Sequence, residues 1–196
     1  MDRSAAWNTV CEFVQAPGLR RHMLAVEAAM KSYADLLGEN MDDWALAGLL
    51  HDYDWEIHPT LQQHPAAGAA LLDERGCPSC VIRAILSHNP AGTGVDREAP
   101  IDYALLACDE LTGLVTAVTL VRPSRSIADV RLKSIRRRWK DRSFAAGVNR
   151  QEVEAATADF SRECFHGNLD LWDHVRHVLT AMQNHAAAIE LDGRLA

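Results

Sequence analysis

Cysteines, long apolar runs and strand-like patterns are all scarce in this chain of 196 residues. The five cysteines are an odd number scattered along the sequence, which excludes a disulfide scaffold and predicts reduced thiols in a cytoplasm. The longest apolar stretch, Leu111 to Val121, is interrupted by Thr and Gly and is far shorter than the roughly 20 residues of a membrane helix. The first ten residues, MDRSAAWNTV, contain no apolar run of signal-peptide length. We therefore expect a cytoplasmic protein that neither spans a membrane nor is secreted.

Helical periodicity dominates what the sequence does contain. Hydrophobic residues make up 48% of the chain, and they recur at spacings of three and four along most of its length. From Leu19 to Leu37, for example, Met23, Val26 and Met30 share one face, and Gly38 is expected to end that helix. The sequence therefore predicts an all-α fold, a single-domain helical bundle over residues 1–196.

Capping residues and helix breakers divide the rest of the chain. Asp42 or Asp43 is expected to start the second helix, and Ser126 with Asp129 and Asn149 with Glu152 are expected to form capping boxes. A loop is predicted over 89–99, where Gly and Pro are frequent. The later helices are predicted over 42–52, 66–76, 78–88, 101–121, 127–141, 150–164 and 169–189.

Basic residues are concentrated in one strip. Residues 121–150 contain ten Arg or Lys and two acids, a net charge of +8, whereas the whole chain carries −7. An acidic protein with one basic strip is not expected to bind nucleic acids generally. The strip is expected either to meet a small phosphorylated ligand or to be a solvated helix face. For a substrate phosphate, the candidates are Lys133, Arg136, Arg137 and Arg122.

Six His and Asp residues lie beside apolar sequence on successive predicted helices. They are His22, His51, Asp52, His64, His88 and Asp109. An unpaired Asp at the end of an apolar helix is costly, so it needs a partner or a cation. Four imidazoles and two carboxylates directed at one point would bind a divalent metal.

The order of these residues resembles the H…HD…D motif of the HD-domain metal-dependent phosphohydrolases, and His64 and His88 are similar to the further histidines of dinuclear members. The sequence around these residues also resembles that of the family, in the segments LLHDYDWE, HPAAGAALL, AILSHN and ACDELTGL. The sequence after residue 120 resembles an uncharacterised bacterial branch of HD hydrolases. The resemblance implies an HD-type bundle with a core over about 18–120 and a C-terminal helical extension over about 121–196.

The resemblance also implies a dinuclear metal site. One metal would take His22, His51, Asp52 and Asp109, and the second would take His64 and His88, with the Asp52 carboxylate shared. The two divalent ions, each Fe, Mn, Co, Ni or Zn, would activate water for hydrolysis of a small phosphate ester or anhydride, nucleotide-like in character. Asp52 is then also catalytic, and Asp54 and Glu56 are candidates for a general acid or for orienting the ligand histidines.

Alternatives within and beyond the superfamily stay open. Cyclic-dinucleotide phosphodiesterases of the HD-GYP type are disfavoured, because Ser87-His88-Asn89 and AGTGVD replace their HHE and GYP motifs. Diadenosine tetraphosphate hydrolases with an HD core remain possible. The same ligands occur in di-iron HD oxygenases, and a non-catalytic metal-binding regulatory module is a third hypothesis. His58, His174, His177 and His185 are not expected to be ligands.

Overall fold

The computed structural model describes residues 1–194, and over these residues the chain is all α, as predicted. Apart from one isolated bridge between Ser126 and Asp192, this described part contains no β-structure. Its helices are α1 (Arg3–Phe13), α2 (Pro17–Leu37), α3 (Met41–Leu50), α4 (Ala69–Glu74), α5 (Ser79–Ser87), α6 (Pro90–Thr93), α7 (Pro100–Leu120), α8 (Leu132–Trp139), α9 (Arg150–Phe165) and α10 (Leu171–Asn184).

The described chain forms two compact units, Met1–Leu105 and a second that begins at Leu106, within α7. In the first unit α3 packs against α1, α2 and α5, and α4 packs against α5. Apolar side chains of α2 such as Met23 and Met30 are fully buried, which is the face that the periodicity predicted. The helix ends at Gly38, whose φ of 71° is the left-handed conformation of a helix C-cap, as expected. The single domain over 1–196 stays a prediction.

In the second unit, α10 packs against α8, α9 and a 3-10 turn at Ile127–Asp129. The amide of Gln183 on α10 donates to the carbonyls of Ile127 (3.0 Å) and Val130 (3.1 Å). The Ile127 N–H donates in turn to the carbonyl of Leu191 at 2.8 Å. The residues before α8 are therefore held by partners distant in sequence.

Three local predictions were wrong. The chain forms α6 within the predicted loop 89–99, and α1 lies outside every predicted helix. Ser126 makes no capping hydrogen bond and precedes the 3-10 turn, so the basic helix begins only at Leu132. Asn40, not Asp42 or Asp43, caps α3 by accepting from their backbone N–H groups. The Asn149 cap of α9 is confirmed, since its side chain accepts from the next residues' N–H groups at 3.2 and 3.4 Å.

Helix α7 is long and apolar enough, by length and hydropathy alone, to cross a membrane. However, 56% of its 18-residue apolar window is buried inside the structure. The core helix of a folded protein meets the same two criteria, because it too is long and apolar. The length and hydropathy of α7 are therefore weak evidence for a membrane span.

A buried histidine makes the stability of the second unit dependent on pH. His174 on α10 is fully buried, and its Nε2–H donates to the carbonyl of Ala107 at 2.9 Å. Burial, with a smaller contribution from His177, lowers the pKa of His174 to about 4. Because the unfolded imidazole, with a pKa of about 6.5, takes up its proton first, the free energy of unfolding should fall from pH 6.5 down to pH 4, by on the order of 3 kcal/mol.

The variant His174→Gln tests this dependence, since its amide can donate to Ala107 but does not titrate. Urea unfolding of both proteins between pH 7 and pH 4 should give a shallower dependence for the variant. Carboxylates titrate in both proteins, so the difference between the two curves isolates His174. Parallel curves would show that His174 does not contribute.

Candidate metal centre

Four histidines and one aspartate converge in the first unit, from three helices and the segment between α3 and α4. His22 lies in the second turn of α2, His51 follows the last residue of α3, and Asp52 comes next. His88 follows the last residue of α5, and His64 lies between α3 and α4. These five residues, all predicted from the sequence, form two groups that could hold a metal ion.

The first group is His22, His51 and Asp52. The Nε2 atoms of His22 and His51 are 3.2 Å apart. Oδ2 of Asp52 lies 3.4 Å from Nε2 of His51 and 3.8 Å from Nε2 of His22. Three ligand atoms of the types that bind divalent transition metals therefore face one point.

The second group is Asp52, His64 and His88. Nε2 of His64 lies 3.0 Å from Nε2 of His88 and 3.2 Å from Oδ1 of Asp52. Asp52 thus directs Oδ2 to the first group and Oδ1 to the second. One carboxylate that serves two groups is the arrangement expected of a ligand shared by two ions.

Local hydrogen bonds determine which nitrogen of each ring faces the centre. The Nδ1–H of His51 donates to the carbonyl of Gly48 at 2.9 Å, and the Nδ1–H of His88 donates to the carbonyl of Ile85. In a neutral ring with Nδ1 protonated, Nε2 carries a lone pair. Since the Nε2 atoms meet in pairs, their lone pairs repel one another unless a proton or a cation lies between them.

His64 is oriented by a carboxylate instead of a carbonyl. Its Nδ1–H donates to Oδ1 of Asp54 at 2.7 Å, and both side chains are almost completely buried. Burial alone lowers the pKa of His64, but Asp52 and Asp54 outweigh it and raise the pKa to about 9. The same negative charge that retains a proton on His64 favours a cation, which must displace that proton.

The distances within the groups fit a metal ion. Two N or O ligands at about 2.1 Å from one ion, separated by 90 to 110°, lie roughly 3.0–3.4 Å apart. The two Nε2–Nε2 distances, 3.0 and 3.2 Å, fall in that range, as do the contacts of Asp52 with His51 and His64 at 3.4 and 3.2 Å. The distance from Oδ2 of Asp52 to Nε2 of His22 is longer, at 3.8 Å. The residues of each group therefore suit a divalent metal ion.

Asp54 lies directly behind the second group. Its side chain is fully buried, and Oδ2 has no hydrogen-bond partner among residues 1–194. Gly68 leaves room for it, because a Cβ at that position would lie 2.8 Å from Oδ2 of Asp54 and from the Tyr53 hydroxyl. A carboxylate that holds the far nitrogen of a ligand histidine orients the ring and makes it a stronger ligand. Of the two roles predicted for Asp54, the geometry favours orientation of a ligand.

Glu56 makes a different contact. Its two carboxylate oxygens accept from the backbone N–H groups of Gln15 and Ala16, both at 2.8 Å, just before α2. These bonds lower the pKa of Glu56, so the carboxylate stays ionised at neutral pH and carries no proton to donate as a general acid. The structure thus gives Glu56 a structural contact, and its catalytic role stays a prediction.

The remaining predicted residues belong to the second unit. Asp109 lies on α7 beyond the start of that unit, and its role as a ligand stays a prediction. Lys133, Arg136 and Arg137 line one cavity, and Arg122 lines a smaller one.

Two positioning residues went unnoticed in the sequence. The side-chain amide of Asn89 donates to the carbonyls of His64 and Leu61, both at 2.7 Å, and so connects the end of α5 to the segment that carries His64. The ring of Trp55 packs edge-on against His64 with ring centres 5.1 Å apart. Both residues are close in sequence to predicted ligands, and this proximity is the only sequence feature that could have indicated their role.

Comparison with known proteins identifies one family. The family model described as HD domain matches residues 19–110, a range that includes His22, His51, Asp52, His64, His88 and Asp109. No curated protein and no solved structure matches the chain.

Proposed function

We propose that the protein is a metal-dependent phosphohydrolase, because residues 19–110 match the family model of the HD domain. Its substrate would be a small phosphate ester or anhydride, nucleotide-like in character. The observation that carries the proposal is the position of Asp52, which directs one oxygen to His22 and His51 and the other to His64.

The groups on either side of Asp52 would each hold one divalent ion, the first with His22 and His51 and the second with His64 and His88. When bound, two such ions lower the pKa of a water molecule and offset the charge that develops on a phosphoryl group. The donors are imidazole nitrogen and carboxylate oxygen without thiolate, which suits Fe, Mn, Co, Ni or Zn.

The protein's own contribution is orientation. Gly48 and Ile85 carbonyls keep Nδ1 of His51 and His88 protonated, so that each Nε2 is available as a ligand. Asp54 does the same for His64 and adds negative charge behind it.

Access to the centre is one-sided. The side chains of His51 and His64 are 0 and 2% exposed, whereas those of His22 and Asp52 are 20 and 19% exposed. A purely structural metal site is closed, whereas a catalytic one keeps a position open to substrate. The partly exposed side therefore supports catalysis over a non-catalytic module.

We also propose that the protein acts in the cytoplasm. All five cysteines are free, and Cys77 and Cys108 are buried. Burial raises the pKa of Cys77 to about 11, so this thiol is unreactive at neutral pH.

Metal analysis of the purified protein tests the proposal together with the variant His64→Ala. We expect about two metal ions per chain in the wild type and about one in the variant, because the second group loses a ligand that its buried position cannot replace. His58→Ala is the matched control, since His58 lies in the same segment but in neither group, and its metal content should equal that of the wild type.

Measurement of substrate turnover then distinguishes hydrolysis from the two alternative functions. Wild-type protein should release phosphate from nucleotide-like esters or anhydrides, with or without oxygen, and His64→Ala should lose most of that rate. Turnover that requires iron and consumes oxygen would contradict the proposal in favour of an oxygenase. Tightly held metal without turnover of a broad panel of phosphate esters would contradict it in favour of a regulatory module.

A further inference from the structure

A cavity of about 920 Å³ lies in the second unit, between α8 and Trp172 of α10. Its volume is in the range of pockets that bind small molecules. Five basic residues line it, namely Arg131, Lys133, Arg136, Arg137 and Lys140. Ser134 and two tryptophans complete the wall, and no acidic residue contributes to it.

The basic residues of the wall are only partly neutralised, since Arg136 lies close enough to Asp170 to interact with its charge. In the part of the chain that the structure describes, none of the five forms an ion pair, whereas neighbouring Arg138 pairs with Asp141 at 3.4 Å and Arg176 pairs with Asp173. Three of the five positive charges lie on α8 and the other two on the residues that flank it. Such close positive charges repel one another, and an anion bound among them would relieve that repulsion. The charge of the wall therefore favours a ligand with more than one negative charge.

The tryptophans add a second, apolar feature. The rings of Trp139 and Trp172 meet edge to face, with centres 5.6 Å apart, and both are partly exposed. The guanidinium of Arg136 lies 4.7 Å from the centre of the Trp172 ring. The indole N–H of Trp139 donates to Glu154 at 3.3 Å, which fixes its orientation. Partly exposed, oriented indole rings beside cations are suited to stacking with a flat aromatic group.

A smaller cavity of about 240 Å³ adjoins the first. The two share Ser134 and Arg137, and the smaller one is also lined by Arg122 and Arg138. Nη1 of Arg122 lies 3.5 Å from the hydroxyl of Ser134. Ser134 and Arg137 therefore contribute to both cavities.

We propose that these two cavities bind a nucleoside polyphosphate, with the base against Trp139 and Trp172 and the phosphates against Arg137 and the other cations. Aromatic faces and an excess of positive charge suit the base and the phosphates of that ligand class, whereas a simple phosphate would use only the charge. The inference does not rest on the proposed hydrolysis, because all its residues belong to the second unit and its test measures binding.

A single nucleotide fits these features better than a nucleic-acid strand. The helix that carries the cations, α8, is only 8 residues long, and the whole chain carries a net charge of −7. Proteins that bind strands without sequence preference present a positive groove along several nucleotides.

Binding of a non-hydrolysable ATP analogue to the full-length protein, followed by calorimetry and tryptophan fluorescence, tests the proposal. We expect binding that quenches tryptophan fluorescence, and at this site at least about tenfold weaker binding for Arg137→Ala because a charge-assisted hydrogen bond is lost. Lys133→Ala, at another exposed position of the wall, should also weaken binding. Arg142→Ala is the matched control, since Arg142 belongs to the same basic strip but lines neither cavity, and its affinity should equal that of the wild type.

Two partial ligands and an oligonucleotide define the chemistry further. Adenosine and inorganic triphosphate should each bind more weakly than the complete analogue, and a single-stranded oligonucleotide should bind more weakly per site. Absence of binding, equal losses in Arg137→Ala and Arg142→Ala, or triphosphate that binds as tightly as the analogue would overturn the proposal. Tighter binding of the oligonucleotide would overturn it in favour of a nucleic-acid surface.

Discussion

We expect that the single substitution Asp52→Asn abolishes the binding of both metal ions and, with it, the proposed hydrolytic activity. Asp52 directs Oδ2 to His51 at 3.4 Å and Oδ1 to His64 at 3.2 Å, so both groups depend on a single side chain. The amide retains one oxygen acceptor but removes the negative charge that balances the ions. Loss of even an indirect partner of a metal ligand costs 10–100-fold in affinity or activity, so loss of a shared ligand should cost more than about 100-fold.

Metal content by elemental analysis and the rate of phosphate release are the two measurements for Asp52→Asn. Asp35→Asn is the matched control, because it makes the same chemical change at an exposed position of α2, and it should keep the wild-type metal content and rate. Circular dichroism of each variant checks that the helices remain. A variant at Asp52 that retained two ions per chain would contradict a shared ligand, and one that lost a single ion would assign Asp52 to one group only.

The ligand cluster could be predicted because its signals are local. His51 and His88 each follow the last residue of an apolar helix, where the preceding residues are buried and a polar ring is placed at the edge of the core. Both rings then donate from Nδ1 to the carbonyl three residues earlier, of Gly48 and Ile85. A histidine at the end of an apolar helix can thus be oriented by its own helix. The same geometry occurs at both positions and involves only residues close in sequence, so a short stretch of sequence is enough to predict it.

The features that sequence reasoning missed depend on distant residues. Ile127 and Val130 receive hydrogen bonds from Gln183, more than fifty residues later, so no local rule could show that the predicted helix over 127–141 would be interrupted. Glu56 likewise binds the N–H groups of Gln15 and Ala16, about forty residues before it. A carboxylate next to a metal motif is compatible with catalysis or with a structural contact, and the sequence does not distinguish them.

Gly48 is a further residue whose role depends on distant residues, because it matters through its lack of a side chain. On α3, a Cβ at position 48 would lie 2.7 Å from the backbone nitrogen of Glu27, 2.8 Å from its Cα and 2.8 Å from the carbonyl carbon of Val26. These are backbone atoms of α2, so no side-chain rotation can relieve the contact. The close approach of the two helices that carry His22 and His51 therefore requires glycine here.

We accordingly expect Gly48→Ala to reduce the free energy of unfolding by more than about 3 kcal/mol, the upper end of ordinary overpacking, because two helix backbones must separate. The same displacement would move His51 away from His22, so the metal content of the first group should fall as well. Urea unfolding and elemental analysis measure the two effects. Gly18→Ala on α2 is the matched control, since nothing lies within 4 Å of a Cβ there and the substitution should be neutral or slightly stabilising. Equal unfolding free energies for the two variants would show that α2 and α3 can separate without cost, and the contact at Gly48 would then not be what positions the first group.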